Sequence, residues 1–420
     1  MKISVISINY APEPTGISVY TTGMSEYLSE RDWDVTVHTG FPYYPNWKKK
    51  YNDRQVLFRA EQMGKVKLRR CYLFVPRAPS ALKRIIHEFS FCISASISYL
   101  MAEAADLTII VSPPLPIGIP IALLAKLKGS KTLFHVQDLQ PDAAVELGML
   151  KPGLLTKILY GMESLTYRLV DWVSTISLAM QKNIQAKGVD EKKMLIFKNW
   201  ADDDTVMPMS DRDSYRYDWS LQNKFVVLYS GNMGVKQGLG MLLAVAKQLS
   251  HLDDIVFVIV GDGGEKQTLI NRANEQGLHN VRFTSPVPKN SLGRLLATAD
   301  VSVIPQKEGM NDVVLPSKLN NILCSQKPVI VAARQDSELA HIVQSANCGL
   351  VVEPGQAEQM VKAIVQLHAD QEERQLLARN GREYALQYLS RKGILDQFMH
   401  QAEGLIKPQE AGEMSTPIRS

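Results

Sequence analysis

Short apolar runs alternate along this chain with longer segments of helical spacing, and that alternation limits what it can fold into. Residues 3–8 form the first apolar run, residues 16–30 carry a helical pattern, and residues 35–38 form the next run. The series continues with 107–111, a helical pattern around 117–128, a run at 132–136, a long helical pattern at 154–169 and a run at 172–176. Strands this short and this uniformly apolar are buried on both faces, so they belong to βαβ units of a parallel sheet. The pattern lapses over 199–223, a polar stretch holding Asp202, Asp203, Asp204 and Pro208, which reads as a linker. It restarts at 225–229 and runs through 255–260, 281–283, 301–304 and 329–331.

The fold class that follows is α/β, with two doubly wound Rossmann-like domains facing a central cleft. A chain of 420 residues supplies about 200 for each. The expected spans are 1–200, 201–385, a helix over 386–407 packing back on the first domain, and a disordered tail over 408–420. Apolar residues make up 45% and charged residues 21%, which excludes disorder over the whole chain. Cys71, Cys92, Cys324 and Cys348 lie in apolar stretches without a CxxC pair, so buried thiols in a reducing compartment are expected. The longest apolar stretch, 89–110, is interrupted by Glu103 and Asp106, and residues 3–8 are too few for a signal-peptide core. A cytoplasmic chain without a spanning helix is therefore expected.

The net charge of +4 conceals an asymmetry. Residues 42–84 hold twelve Lys/Arg against Asp53 and Glu61, a balance of +10, which leaves −6 for everything else. The basic residues, Lys48, Lys49, Lys50, Arg69 and Arg70 among them, are interleaved with Tyr43, Tyr44, Trp47 and Tyr72. Basic plus aromatic composition suits an anionic membrane surface. Nucleic acid is the rival anion, but no recognition motif accompanies the charge. A solvated face is the plain alternative.

In open parallel sheets ligands bind beyond the carboxyl ends of the strands, so the loops there hold the candidates. Gly16 stands at a helix start, where backbone can approach a phosphate or sugar, or simply turn. Asp138 follows the 132–136 strand, as a carboxylate facing the cleft or as a helix N-cap. His135 is read as packing within that strand. Ser230, Gly231, Asn232, Gly234 and Gln237 form a glycine-rich strand-to-helix loop suited to an anion, and Gly261 and Gly263 form a second. Ser317 and Lys318 open a helix, where a lysine opposes the helix dipole unless an anion joins it. The acidic run 202–204 lies in the linker and reads as a solvated turn rather than a metal site.

The glycine loops, the Leu-Leu-Ala-Thr-Ala-Asp-Val-Ser-Val-Ile-Pro stretch ending at Pro305, and Pro316-Ser317-Lys318 followed by Lys327-Pro328-Val329 together resemble the family 4 glycosyltransferases of GT-B fold. Gln137-Asp138-Leu139 and Asn199-Trp200 resemble a branch that contains fucosamine transferases of surface-polysaccharide synthesis. The resemblance implies a retaining transferase whose C-terminal domain binds a nucleotide sugar and whose N-terminal domain binds the acceptor. Fucose from GDP-fucose and a polyprenyl-diphosphate-linked saccharide of exopolysaccharide (colanic acid) synthesis are the substrates it implies, at the cytoplasmic face of the inner membrane. Neither metal nor nucleic acid is expected. Two phosphate-gripping cations of the family are replaced by Asn232 and Gln237. Aligned on Lys327-Pro328-Val329, its paired glutamates fall at Val313 and Asn321; aligned on Glu308-Gly309, the second falls at Pro316, so either register loses at least one, and its His-Asp pair reads Gln137-Asp138.

Lys318 and Asp138 are therefore the expected catalytic residues. Lys318 would neutralise the leaving diphosphate, and Asp138 would orient the acceptor hydroxyl or stabilise the developing cation. Two rival activities fit parts of the same pattern: a GT-B-shaped sugar-nucleotide epimerase, and a non-catalytic sugar-nucleotide-binding subunit of an assembly complex.

Overall fold

The structure is a computed structural model that describes residues 1–13, 16–44, 46–78, 80–146, 153–308 and 318–406. Ser317, Val313 and the 408–420 tail lie outside the described residues.

The strands, in chain order, are β1 (Lys2–Ser7), β2 (Asp34–Gly40), β3 (Phe58–Met63), β4 (Val66–Cys71), β5 (Leu107–Ser112), β6 (Lys131–Val136), β7 (Trp172–Thr175) and β8 (Met194–Ile196). They continue with β9 (Phe225–Ser230), β10 (Ile255–Val260), β11 (Val281–Thr284), β12 (Val301–Pro305), β13 (Val329–Ala332) and β14 (Gly349–Val352). The first eight form one sheet, ordered β3-β4-β2-β1-β5-β6-β7-β8, and the last six form another, ordered β11-β10-β9-β12-β13-β14. Every pairing is parallel except β3 with β4. The strand order reverses between β1 and β5 in one sheet and between β9 and β12 in the other, which opens a crevice at each switch point.

The β3–β4 hairpin is absent from the sequence reading, which treats 42–84 as a basic block. Its signal is the alternation Val66-Lys67-Leu68-Arg69, buried and exposed in turn, which the density of charge hides. Lys and Arg on an edge hairpin also blunt it against further strand pairing.

Helices cover both faces of each sheet. On one face of the first lie Ala81–Leu100, Gly118–Leu127 and Leu154–Leu169, packed around Phe91, Tyr99, Ile121 and Phe134. On the other lie Ile17–Glu30 and the final helix, Arg391–Ile406, which returns from the second sheet. Ile394, Leu395, Phe398 and Ala402 of that helix join the core of the first sheet with Met24, Phe197 and Trp200.

The two halves are tied at several further points. Asp203 accepts from Arg391 N–H at 3.2 Å, and the Asp204 carboxylate lies 3.6 Å from the Arg391 guanidinium. The acidic run is a turn whose Asp204 stays largely exposed, as read, and it also fastens the returning helix. On the cleft side Glu338 accepts from the N–H groups of Leu178 and Ala179, at 3.1 and 2.8 Å, capping a first-half helix from the second half.

Phe398 is fully buried and stacks on Phe197, with centroids 4.0 Å apart. Phe398→Ala is expected to cost about 3–5 kcal/mol, read as a lowered denaturant midpoint.

Candidate functional site

The site is built on strand ends. β9 delivers Tyr229 and Ser230, and the chain then turns at Gly231 with φ +144°, a conformation open to glycine. Gly231 is required for a second reason: a Cβ there would collide with the Lys318 side chain, which passes beneath it. Lys318 is the first residue of the helix Lys318–Cys324. Its Nζ donates to the Tyr229 hydroxyl at 2.8 Å and sits 4.4 Å from the centre of the tyrosine ring. Tyr229 in turn donates to the Asn232 carbonyl at 2.5 Å. Burial lowers the Lys318 ammonium from its ordinary value to about 8. Among the described residues no carboxylate pairs with it. Here the structure holds a desolvated cation at a helix N-terminus whose own dipole is also positive. An anion would relieve both.

The glycine loops take a different part from the one their sequence suggests. Gly231 N–H donates to Val260 O at 2.9 Å, Met233 N–H to Asp262 O at 2.7 Å, and Gly261 N–H to Thr284 O at 3.1 Å. Gly234 N–H donates to the Gln237 side chain at 3.1 Å, and Gly263 N–H to Asp262 Oδ1 at 2.8 Å. These amides are spent inside the protein, so they do not cradle a phosphate in this structure. The glycines at 261 and 263 are needed because the loops lie on each other. A Cβ on Gly261 would overlap the Gly231 carbonyl, and one on Gly263 would press on Met233. Gln237, expected on the donor, serves as the cap of its own turn. The loops fasten one another, and the side chains of Lys318 and Lys236 are left to carry the positive charge.

Asn321 was expected at the donor's ribose. Its Oδ1 accepts from Asp202 N–H at 3.1 Å, while the neighbouring Asn320 donates to Asn199 O at 2.8 Å. Both asparagines are held at the hinge between the two sheets.

Across the cleft Asp138 follows β6. Its Oδ1 is buried and has no hydrogen-bond partner among the described residues. Burial raises the Asp138 carboxyl above its ordinary value and Asp142 adds to this, while the Lys236 charge, from the glycine loop of the other half, pulls it down. The Lys236 charge thus acts on Asp138 from the other half. Gly16 caps the Ile17–Glu30 helix at φ +59°, and a Cβ there would meet nothing within 4 Å, so its backbone is open to a ligand.

His135 is structural, as read. Gln137 Nε2 donates to its Nε2 at 2.8 Å, so its Nδ1–H is the donor to Ser174 Oγ at 2.9 Å, a tautomer assigned from this network. Burial drops its imidazole to about 3, which keeps it neutral. Tyr229 was missed by sequence reasoning because a strand tyrosine among valines reads as core. The Glu338 clamp was missed because its partners are 160 and 159 residues away.

The five basic residues taken together as a docking surface divide. Lys49 is buried and donates to Leu73 O at 3.0 Å. Arg70 is buried and gives its donors to Glu61, Gly40 O and Ala11 O. Neither reaches a surface, because each satisfies backbone carbonyls that would otherwise be orphaned. Lys48, Lys50 and Arg69 remain exposed.

Two α/β halves with a cation and a carboxylate at facing strand ends define a GT-B architecture. Residues 15–200 match the family model described as glycosyl transferase 4-like domain, and residues 211–384 match that described as glycosyl transferases group 1. The chain belongs to the group 1, or family 4, glycosyltransferases. It is 36% identical to an Escherichia coli K12 protein over 96% of this chain and all of that one; that protein's assignment, as colanic acid biosynthesis glycosyl transferase WcaI, is itself provisional. Among solved structures it is similar to sucrose-phosphate synthase from Thermosynechococcus elongatus, with TM-score 0.75, 17% identity, and coverage of 96% of this chain and 98% of that one. It is also similar to Anabaena HepE in complex with UDP-glucose, with TM-score 0.70, 15% identity, and coverage of 96% and 100%. At such identities the structural likenesses show the fold.

Burying Lys318 with no carboxylate partner among the described residues destabilises the ligand-free protein. The shift from 10.5 to about 8 corresponds to at most roughly 3 kcal/mol. Lys318→Met is expected to raise the melting temperature of the ligand-free protein. Since the folded lysine loses its proton first, wild-type stability should climb between about pH 8 and 10.5. The variant should lack that climb in thermal scans across pH.

Proposed function

We propose that this glycosyltransferase moves a hexose, with retention of configuration, from a nucleotide-diphosphate sugar to a polyprenyl-diphosphate-linked saccharide in exopolysaccharide synthesis. GDP-fucose is the proposed donor. The observation that carries the reading is the desolvated Lys318 ammonium, held by Tyr229 and unpaired by any described carboxylate. As the sugar–phosphate bond breaks, positive charge grows on the anomeric carbon and negative charge on the diphosphate. A cation already stripped of water and fixed in place stabilises that charge without reorganising. Lys236 adds a second positive charge from the glycine loop beneath which Lys318 passes. Asp138 meets the acceptor hydroxyl from the other half or steadies the oxocarbenium-like carbon. In a front-face displacement the departing phosphate oxygen takes the acceptor proton, so no separate base is required.

Support for the substrate class comes from the relationship to the WcaI protein, which spans nearly the whole chain. In this reading residues 1–200 serve the acceptor and 201–385 the donor; of the 386–407 span proposed to return to the first part, the helix that does so is Arg391–Ile406. The protein would work as a peripheral enzyme at the cytoplasmic face of the inner membrane, where such acceptors lie.

The test is a panel of nucleotide sugars offered with polyprenyl-diphosphate-linked saccharides, products being read by mass spectrometry. Glycosyl transfer from GDP-fucose is expected. Transfer only from another donor overturns the donor, and epimerised nucleotide sugar without transfer overturns the reaction. Lys318→Ala should lower kcat by about a hundredfold or more with the fold intact, by analogy with removal of one charge-stabilising donor. For the wild type, kcat/KM should fall as pH rises through about 8, where free Lys318 loses its proton. The profile of kcat should extend to higher pH, because a bound diphosphate holds the proton on. Identical profiles for wild type and Lys318→Arg would remove the lysine from the mechanism.

A further inference from the structure

The outward face of the first half carries a feature that the transfer site does not use. On the helix Ala81–Leu100 the residues Leu82, Ile86, Phe89, Ile93, Ile97 and Leu100 are 44 to 67% exposed. Their spacing of three and four places them in one stripe along the solvent side, opposite the buried Phe91, Cys92, Ala95 and Tyr99. A surface helix of a soluble protein puts charge there. The stripe continues sideways. The next helix, Gly118–Leu127, exposes Leu123 and Leu127, and the one beyond it, Leu154–Leu169, exposes Leu154 and Ile158.

The exposed charge on these three helices has one sign. The three helices expose Lys83, Arg84, Lys126, Lys157 and Arg168. They contain two carboxylates, and both turn inward. Glu88 is held by Gln140 and raised by burial to about 7, while Glu163 is buried against Lys187 and Tyr167. The exposed members of the basic block border the same face. Arg84 lies over the Trp47 ring at 5.4 Å, and Trp47 is followed in the chain by the exposed Lys48. Arg69 is close enough to His38 and Lys128 to lower both, and His38 is bonded to Ser98 of the stripe-bearing helix. No helix among the described residues is long and apolar enough to cross a membrane.

We infer that this three-helix face lies on an anionic lipid bilayer, the stripe entering the headgroup–acyl boundary and the bordering lysines and arginines meeting lipid phosphates. An apolar band edged by cations, on helices whose own two carboxylates turn inward, fits an anionic interface, and the exposed Glu103 just beyond the stripe is paired with Lys2. A second copy of this chain would bring like charges together around the band. The inference refines the proposed function by naming the surface that reaches the lipid, yet it does not depend on the transfer reaction.

The full chain, without nucleotide sugar, is sedimented with vesicles of phosphatidylcholine alone or mixed equally with phosphatidylglycerol. The wild type is expected to sediment with the mixed vesicles and to be released in part by high salt. Phe89→Glu/Ile93→Glu and Lys83→Glu/Arg84→Glu are each expected to bind about tenfold less, with unchanged circular dichroism and melting temperature. Nucleotide binding by these variants, measured separately in solution, should match wild type, so failure here and failure of the transfer reading are distinct results. Wild-type protein left in the supernatant overturns the inference, as do variants that sediment like wild type. Equal binding to phosphatidylcholine alone overturns the anionic partner. A wild-type dimer that Phe89→Glu/Ile93→Glu dissociates, without vesicle binding, assigns the face to a second copy instead.

Discussion

An ammonium group removed from water, with no carboxylate beside it among the described residues, is the constraint on which the cleft is organised. Lys318 passes under Gly231 only because that residue has no side chain, and it ends on Tyr229, whose hydroxyl is itself fixed to the backbone of the same loop. The arrangement costs stability in the empty protein and is suited to a ligand that brings negative charge. A salt bridge to an internal carboxylate would have stabilised the fold and cancelled the field the site needs.

That lysine is useful only if the two halves stay in register. The final helix, the Asp203–Arg391 fastening and the Glu338 cap on the first-half helix hold them there. Asn320 and Asn321, one turn or less from Lys318, are bonded to the hinge residues Asn199 and Asp202. The cation and the hinge therefore share one short helix. A motion of the two halves would be felt at Lys318, and the charge of a bound diphosphate would be felt at the hinge.

Much of the fold was legible beforehand. The apolar runs at β1, β5, β6, β9, β10, β12 and β13 are buried on both faces, so past their first residue they carry no Lys, Arg, Asp or Glu to confuse the reading. β3, β4 and β8 were not legible. β3 and β4 form a half-exposed edge hairpin dense in arginine and lysine, and β8 spans three residues. Asp138 and Lys318 stand out in the sequence because each breaks a local expectation: a carboxylate after a buried strand, and a cation at a helix start. Gln237 and Asn321 were placed on the ligand because a sequence shows an amide's chemistry but not where its hydrogen bonds go.

By itself the sequence determined the class of fold, the pairing of two parallel sheets and the two residues of opposite charge at their strand ends. These follow from periodicity and from local chemistry, which act between neighbours in the chain. Only the tertiary structure decided which glycines serve packing rather than phosphate, which of the clustered lysines and arginines are buried, and that the outer helices expose a charge-bordered apolar face. Each of those outcomes is set by contacts between segments far apart in the chain, such as Arg70 with Ala11 or the Gly261 loop with Gly231. The +10 of residues 42–84 illustrates the difference. Its sum is a property of the sequence, and its direction is a property of the fold.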